Sequence, residues 1–516
     1  MRKRVERCRG IPSALLGVVM LLYLLVSGCA TDPEAYPKPE STAIRDYRST
    51  TLGHTHAASE VAHPGESGFA LLRYGHKAFN ARVSMLDRAE KSIDLQVYIW
   101  EADETGRIMA QRVLAAADRG VRVRILVDDL GFGGSDRALI ALDAHPKIEV
   151  RVYNPFAGRK SPVLDLLTDL QRVNRRMHNK ILIVDNSFAI VGGRNIGDHY
   201  FAVAPDSNFR DLDIAAVGPV VREVSEAFDY FWRGDWSVPA AAVVRESVDL
   251  GTLKQFAADI DGLIALGHYP YPLDADLDEF QQQVEDLEGL FVWAPGRIVW
   301  DDPAVTDADG GELISKLRGK LPKLQKSLTV ESAYFVVGDR GVEQVKQLTG
   351  RGITVRVLTN SLVSNDVLAA HAGHAEFRKQ LLEVGAEIYE LRPDSSVIRK
   401  TWEGEPLSGL HTKALVFDDE SVFVGSFNLD PRSSNINTEA GIYVESPELA
   451  RQVLEYMAEG VEPRNSYKLE LDESDHLIWI TTNNGEAVRY RKDPLSTFGQ
   501  RFLAKLIELL PVESQL

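Results

Sequence analysis

Lys91-Ser92-Ile93-Asp94-Leu95-Gln96-Val97-Tyr98-Ile99-Trp100 alternates apolar and polar residues with the period of a β-strand. A helix-like stretch follows over 105–118, and Arg119-Gly120-Val121-Arg122-Val123-Arg124-Ile125-Leu126 then reads as a second strand. The series occurs again further on. Lys326-Ser327-Leu328-Thr329-Val330-Glu331 opens it, residues 341–348 supply the helix, and Arg351-Gly352-Ile353-Thr354-Val355-Arg356-Val357-Leu358 closes it. Lys91 and Lys326 lie 235 positions apart, and Arg119 and Arg351 lie 232 apart. So constant an offset makes the chain two copies of one unit. Strand, helix, strand alternation predicts an α/β fold in each copy, a mostly parallel or mixed sheet flanked by helices.

The offset also carries chemistry. His178-Asn179-Lys180-Ile181-Leu182-Ile183-Val184-Asp185 precedes Gly192-Gly193-Arg194-Asn195 in the first copy. His411-Thr412-Lys413-Ala414-Leu415-Val416-Phe417-Asp418 precedes Gly425-Ser426-Phe427-Asn428 in the second, 233 positions on. In both, Lys stands at +2, Asp at +7 and Asn at +17 from His. Residues i and i+2 of an extended chain share a face, so His and Lys project side by side. The apolar run behind them buries the pair. Ammonium is no metal ligand and repels cations, so the pairing disfavours a metal site. It suits an anion, with Lys neutralising phosphate oxygens while His attacks or protonates. Asn195 and Asn428 follow glycine turns, where an amide can bond the same oxygens. Asp185 and Asp418 end their strands, which suits a structural role as well as a catalytic one.

The rest of the chain bounds these readings. Its 516 residues exceed one ordinary core, and 44% hydrophobic with 26% charged content is that of a folded globular protein. The net charge of −17 disfavours nucleic acid as a partner. Only Cys8 and Cys29 occur, so the folded body has no disulfide framework. A basic start (Arg2, Lys3, Arg4, Arg7, Arg9) precedes an apolar run over 14–26, the pattern of a signal peptide. The run ends in Val26-Ser27-Gly28-Cys29, which resembles a bacterial lipobox with Cys29 as the lipidated residue. The divisions expected are a signal peptide over 1–28, a tether over 29–68, a first half over 69–235 and a linking region over 236–325. A second half over 326–465 and a C-terminal extension over 466–516 complete the chain. Residues 219–232 read as a closing helix and 274–288 as an acidic solvated one. His54, His56 and His63 read as exposed tether residues. Leu495, Phe498, Phe502, Leu506, Leu509 and Leu510 recur at helical spacing, which fits either an interfacial helix or one docked on the body.

The paired His-x-Lys-x4-Asp segments resemble those of the phospholipase D superfamily. Arg175-Arg176-Met177-His178, Gly192-Gly193-Arg194-Asn195-Ile196-Gly197-Asp198, Gly425-Ser426-Phe427-Asn428-Leu429-Asp430-Pro431-Arg432-Ser433 and Thr359-Asn360-Ser361-Leu362 resemble its bacterial cardiolipin synthase C type. The resemblance runs from about Leu71 to the C-terminus. It implies two tandem phospholipase D-like α/β/α sandwich halves forming one bilobal unit, with the active site at the pseudo-twofold seam. It implies that His178 takes the phosphatidyl group and that His411 protonates the leaving alcohol, then deprotonates the incoming one. Lys180, Lys413, Asn195 and Asn428 would hold phosphoryl oxygens. Matching Gly218-Pro219 to Ser446-Pro447 aligns Asp211 with Glu439, the carboxylates expected to fix the two imidazoles. Gly193 departs from the pattern, standing where the second copy has Ser426. No metal or organic cofactor is required. The implied reaction is cardiolipin synthesis from phosphatidylglycerol and a phospholipid donor, phosphatidylglycerol or phosphatidylethanolamine. Hydrolysis to phosphatidic acid is the alternative; a nuclease-type phosphodiesterase and a non-catalytic membrane scaffold rank behind it. The expected partners are membrane phospholipids, not nucleic acid, with any accessory protein unidentified. The expected location is a bacterial envelope outside the cytoplasm, as a membrane-anchored lipoprotein, the outer membrane before the inner.

Overall fold

In the computed structural model the two copies are two mixed sheets; the structure describes residues 38–131, 136–157, 169–244, 249–267, 269, 289–304, 311–397 and 406–508. The first half supplies β1 (Ser67–Leu72), β2 (Ser92–Val97), β3 (Arg122–Asp128), β4 (Ile148–Tyr153), β5 (Ile181–Val184) and β6 (Phe188–Gly192). A short strand, β7 (Ser207–Arg210), precedes β8 (Asp213–Val217), and β9 (Ser237–Pro239) and β10 (Val292–Ala294) follow. The second half supplies β11 (Gly296–Trp300), β12 (Ser327–Ser332), β13 (Thr354–Asn360) and β14 (Glu387–Leu391). Then come β15 (Leu407–Leu410), β16 (Lys413–Phe417), β17 (Ser421–Gly425), β18 (Ala440–Glu445), β19 (Ser466–Leu471), β20 (Leu477–Asn483) and β21 (Glu486–Tyr490).

The strand orders are β10-β1-β8-β6-β5-β2-β3-β4-β9 and β11-β18-β17-β16-β12-β13-β14-β19-β20-β21. From β1 to β4 and from β11 to β14 they are the same walk through the same repeat. In each, three strands run parallel and their neighbours antiparallel, so of the two sheets the alternation allowed the mixed one forms. The strands behind the histidines are buried on both faces. Ile181 and Ile183 enter one core and Leu182 and Val184 another; Ala414 and Val416 divide from Leu415 and Phe417 in the same way. The core that Ile181 and Ala414 share is built by both halves, with Ile214, Val224, Ile442 and Val453 in it. A continuous apolar core cannot be cut without exposing it, so the halves form one bilobal unit.

Three expected boundaries move. The tether is not free from residue 38 onward. Arg151 donates to the Pro39 carbonyl (2.8 Å), Arg124 to that of Ser41 (2.9 Å), and Trp232 Nε1 to Ser41 Oγ (3.0 Å). Arg124 and Arg151 are buried and need acceptors, which this segment supplies through its backbone; such a role leaves no side-chain period to read. Leu52 and His56 are buried here. His56 meets Phe291 edge-on and His63 stacks on Trp293, so His56 is not an exposed tether residue. Residues 1–37, with the expected signal peptide and Cys29, lie outside the described residues.

The region 236–325 is not an inserted linker. β9 and β10 edge the first sheet, β11 heads the second, and Pro295 alone separates β10 from β11. Strands of three to five residues carry too little period to be recognised in sequence. Part of this region, including the expected acidic helix over 274–288, lies outside the described residues. The C-terminal extension likewise begins by adding β19, β20 and β21 to the second sheet. The helix Phe498–Ile507 is docked, with Ala504 buried against the helix Leu368–Glu383, while Phe498, Phe502, Leu503 and Leu506 remain exposed. Among the described residues no helix is long and apolar enough to cross a membrane.

Candidate active site

Two cross-half pairings set the site. β7 runs parallel to β15, with Arg210 opposite Leu410, one residue before Asp211 and His411. Met177 bridges Thr438, one residue before His178 and Glu439, and the His178 amide donates to the Thr438 carbonyl at 2.9 Å. Each histidine therefore meets the carboxylate of the opposite half. His178 Nδ1 lies 2.9 Å from Glu439 Oε2, and His411 Nδ1 lies 2.6 Å from Asp211 Oδ2. All four side chains are buried.

The lysines at +2 fold back on their own histidines. Lys180 Nζ donates to the His178 carbonyl at 2.5 Å, and Lys413 Nζ donates to that of His411. Burial pushes both ammonium groups below their ordinary range, and Lys413 lowers Lys180 further, while nearby carboxylates oppose the shift of each. Burial, then the two lysines, holds both imidazoles well below their usual value, so they are neutral at neutral pH. Burial also lifts Glu439 and Asp211 to about 7, against the opposing pull of Lys180 and Lys413. A neutral imidazole whose Nδ1–H is held by a carboxylate presents the Nε2 lone pair outward. Two such lone pairs beside two cations form a seat for an anion flanked by a nucleophile and a base.

Asn195 Oδ1 accepts the Ile99 amide at 3.2 Å, which orients its NH2 group. Asn428 Oδ1 is buried with no hydrogen-bond partner among the described residues. The departure at Gly193 has a steric cause. A Cβ there would stand 2.2 Å from Asp211 Oδ1, so the shorter carboxylate occupies the space a side chain would need. In the other half Ser426 Oγ instead donates to Glu439 Oε2. The two histidines thus have unequal partners: one carboxylate holds a hydroxyl and one does not.

Asp185 and Asp418 do not join the site. Each follows the far end of its strand in a left-handed turn, at φ 52° and 55°. Asp185 accepts the amides of Glu90, Lys91 and Ser92, and Asp418 those of Gln325, Lys326 and Ser327. Seven residues at about 3.3 Å each carry them roughly 20 Å from the histidines. Asp185→Asn is expected to lower stability by about 1–3 kcal/mol in urea unfolding while turnover per folded molecule is unchanged.

Sequence reading missed the aromatic shell. Tyr98 stands edge-on to His178 (centroids 5.0 Å apart), and Tyr200 and Phe209 flank His411 at 5.0 and 5.3 Å. Burial pushes Tyr98 up to about 12, so it stays a neutral wall. Arg194, inside one of the quoted segments, is buried and donates to the carbonyls of Tyr200 and Asp211, which fixes the backbone that carries the carboxylate. No group of three or more His, Cys, Asp or Glu among the described residues could hold a metal ion.

A family model described as cardiolipin synthase, PLD-like domain matches residues 83–232 and 317–460, once in each half. Cardiolipin synthase C of Escherichia coli (strain K12) is 37% identical over 468 residues, covering 87% of this chain and 96% of that one. An uncharacterized protein of Helicobacter pylori (strain J99) is 32% identical over 515 residues, covering 96% and 98%. Among solved structures, the phosphatidylserine synthase of Haemophilus influenzae Rd KW20 matches with a TM-score of 0.57 at 14% identity. That match spans 89% of this chain and 99% of that chain, a likeness of fold.

Proposed function

The chain belongs to the phospholipase D-like family of cardiolipin synthases, and from that membership we propose that it is a phosphatidyltransferase that joins two phospholipids into cardiolipin through a phosphohistidine intermediate. The observation that carries the reading is the crossed pair of His–carboxylate contacts around two buried lysines. His178 Nε2 attacks the donor phosphorus and forms an N–P bond as the P–O bond to the headgroup alcohol breaks. His411 gives that oxygen its proton. A bound phosphodiester brings negative charge between Lys180 and Lys413, which lifts the His411 pKa and lets it carry the proton. In the second step the hydroxyl of phosphatidylglycerol passes its proton to His411, its oxygen attacks phosphorus, and the N–P bond breaks. Lys180, Lys413, Asn195 and Asn428 hold the phosphoryl oxygens as charge moves onto them. Asp211 and Glu439 fix the two tautomers. Such substrates place the enzyme at a bilayer surface, and lipid-modified Cys29 serves as its anchor there.

Lipid mass spectrometry tests the reaction. The purified protein is supplied with phosphatidylglycerol, with and without phosphatidylethanolamine, in mixed micelles beside a His178→Ala control. Cardiolipin formed by the wild type alone is the expected result, and the better mixture names the donor. Phosphatidic acid without cardiolipin would make the enzyme a hydrolase, and unchanged lipids would sink the reading.

The raised carboxylates predict a pH profile. Below about pH 7, Glu439 and Asp211 take up protons and no longer accept the imidazole N–H. Accordingly kcat/KM is expected to fall as pH drops through 7. Stability runs the other way for these groups. Glu439 binds its proton more tightly folded than unfolded, so its contribution is present at low pH and is lost as pH rises from about 4.5 to 7. A pH–rate series beside urea titrations at the same pH values checks both signs.

A further inference from the structure

Among the described residues the second half covers this part of its sheet with a shorter helix than the first, and a cavity lies there. Between β1 and β2 the first half carries a helix of 14 residues, Gly75–Arg88, which buries Phe79, Val83 and Leu86. Between β11 and β12 the described residues of the second half carry a 7-residue helix, Glu312–Arg318, and the short turn Leu321–Lys323. A cavity of about 270 Å3 lies between that helix, the helix Gly338–Gly350 and the second sheet. Leu328, Val330, Val355, Val357, Leu415 and Phe417 form its floor. Arg340, exposed, marks the surface mouth. Away from Arg340 stand half-buried Leu429 and buried Asp430, the two residues that follow Asn428. The Leu429 amide donates to Ser332 Oγ at 3.2 Å, and Ser332 pairs across the sheet with Lys413, so this end adjoins the reaction centre.

An apolar cavity of about 150 Å3 already stays dry and accepts benzene, so this one has room for a run of methylenes. Its floor offers no polar group, and the polar residues of its lining, Arg318, Arg340, Gln344, Asp430, Ser434 and Asn435, lie on other elements. That is the shape of a slot for a hydrocarbon chain attached, a few bonds away, to a phosphate. We infer that the cavity holds part of one acyl chain of the phospholipid whose phosphate lies on His178, an inference that rests on the transferase reading above. Filling the slot then penalises long-chain donors and leaves the chemistry intact.

Val345, on the wall from Gly338–Gly350, and Leu321, partly buried beside the short helix, are replaced by tryptophan one at a time. Two readouts are taken for each protein. One is binding of 11-(dansylamino)undecanoic acid, followed by fluorescence; the other is kcat/KM for dihexanoyl and dioleoyl phosphatidylglycerol in the same detergent micelles. Each methylene displaced is worth about fourfold in affinity, so losing two exceeds tenfold. The expected result is at least a tenfold loss of dansyl binding and of dioleoyl kcat/KM, with dihexanoyl turnover within twofold of the wild type. Wild-type dansyl binding and chain-length preference in both variants would overturn the inference. A variant that fails to fold declares itself by losing dihexanoyl turnover, and the other then decides. A wild type inactive on every lipid would sink the transferase reading alone, because the dansyl arm still reports whether the cavity takes a chain.

Discussion

His178→Ala is expected to remove cardiolipin synthesis by about 10^4 to 10^6-fold, the scale on which an enzyme loses a covalent nucleophile. His411→Ala is expected to cost about 10^2 to 10^4-fold on the natural donor, the scale of a lost general acid. The two are separated by a donor whose leaving group needs no proton. With phosphatidyl-p-nitrophenol, His411→Ala still forms the N–P bond and releases a burst of one p-nitrophenolate per enzyme. It then stalls, because no base prepares the acceptor alcohol. His178→Ala gives no burst. The reverse pattern would exchange the two roles, and bursts from both variants would show that either imidazole can take the phosphatidyl group. The structure makes the question real, since both imidazoles are buried, neutral and carboxylate-held. Their surroundings differ by Glu439 against Asp211, by Ser426 against Gly193 and by one flanking aromatic against two.

Duplication made much of this legible before any coordinate was known. A pattern that occurs twice at one offset separates signal from coincidence, and the matching strand orders follow from it. The candidate residues His178, Lys180, Asp211, His411, Lys413 and Glu439 stand together for the same reason. What the offset cannot say is which carboxylate faces which histidine. That crossing depends on β7 lying beside β15 and on Met177 lying beside Thr438, pairings between segments more than 190 residues apart that leave no local period. The aromatic shell escaped because it is not duplicated: Tyr98 corresponds to Ala333 in the second copy. Repetition also misled at Asp185 and Asp418. They recur because the same turn, with a carboxylate gathering three backbone amides, closes both strands; shared geometry and shared catalysis look alike in sequence. The start of the segment packed over 38–66 gave little sign because Pro39 and Ser41 meet Arg151 and Arg124 through their own carbonyls.

Asp211→Asn and Glu439→Gln are each expected to lower kcat by about 10^4-fold, the loss that follows when a buried carboxylate orienting a catalytic imidazole becomes an amide. The reason lies in hydrogen-bond polarity. A carboxylate only accepts, so it keeps the imidazole proton on Nδ1 and leaves Nε2 bare. An amide can donate its N–H to Nδ1 instead, and the proton then sits on Nε2, where attack or proton uptake must occur. Neither variant is expected to lose stability, because burial already pushes both carboxylates up to about 7 and a neutral amide carries no charge to desolvate. Unfolding midpoints at pH 8 therefore stay level or rise while turnover collapses. The pair also separates the two steps. With phosphatidyl-p-nitrophenol as donor, Asp211→Asn keeps the burst, since His178 retains Glu439, whereas Glu439→Gln loses it. A burst that survives Glu439→Gln and vanishes with Asp211→Asn would place the nucleophile at His411. Equal loss in both variants, with lowered midpoints, would reduce the crossed pairs to scaffolding.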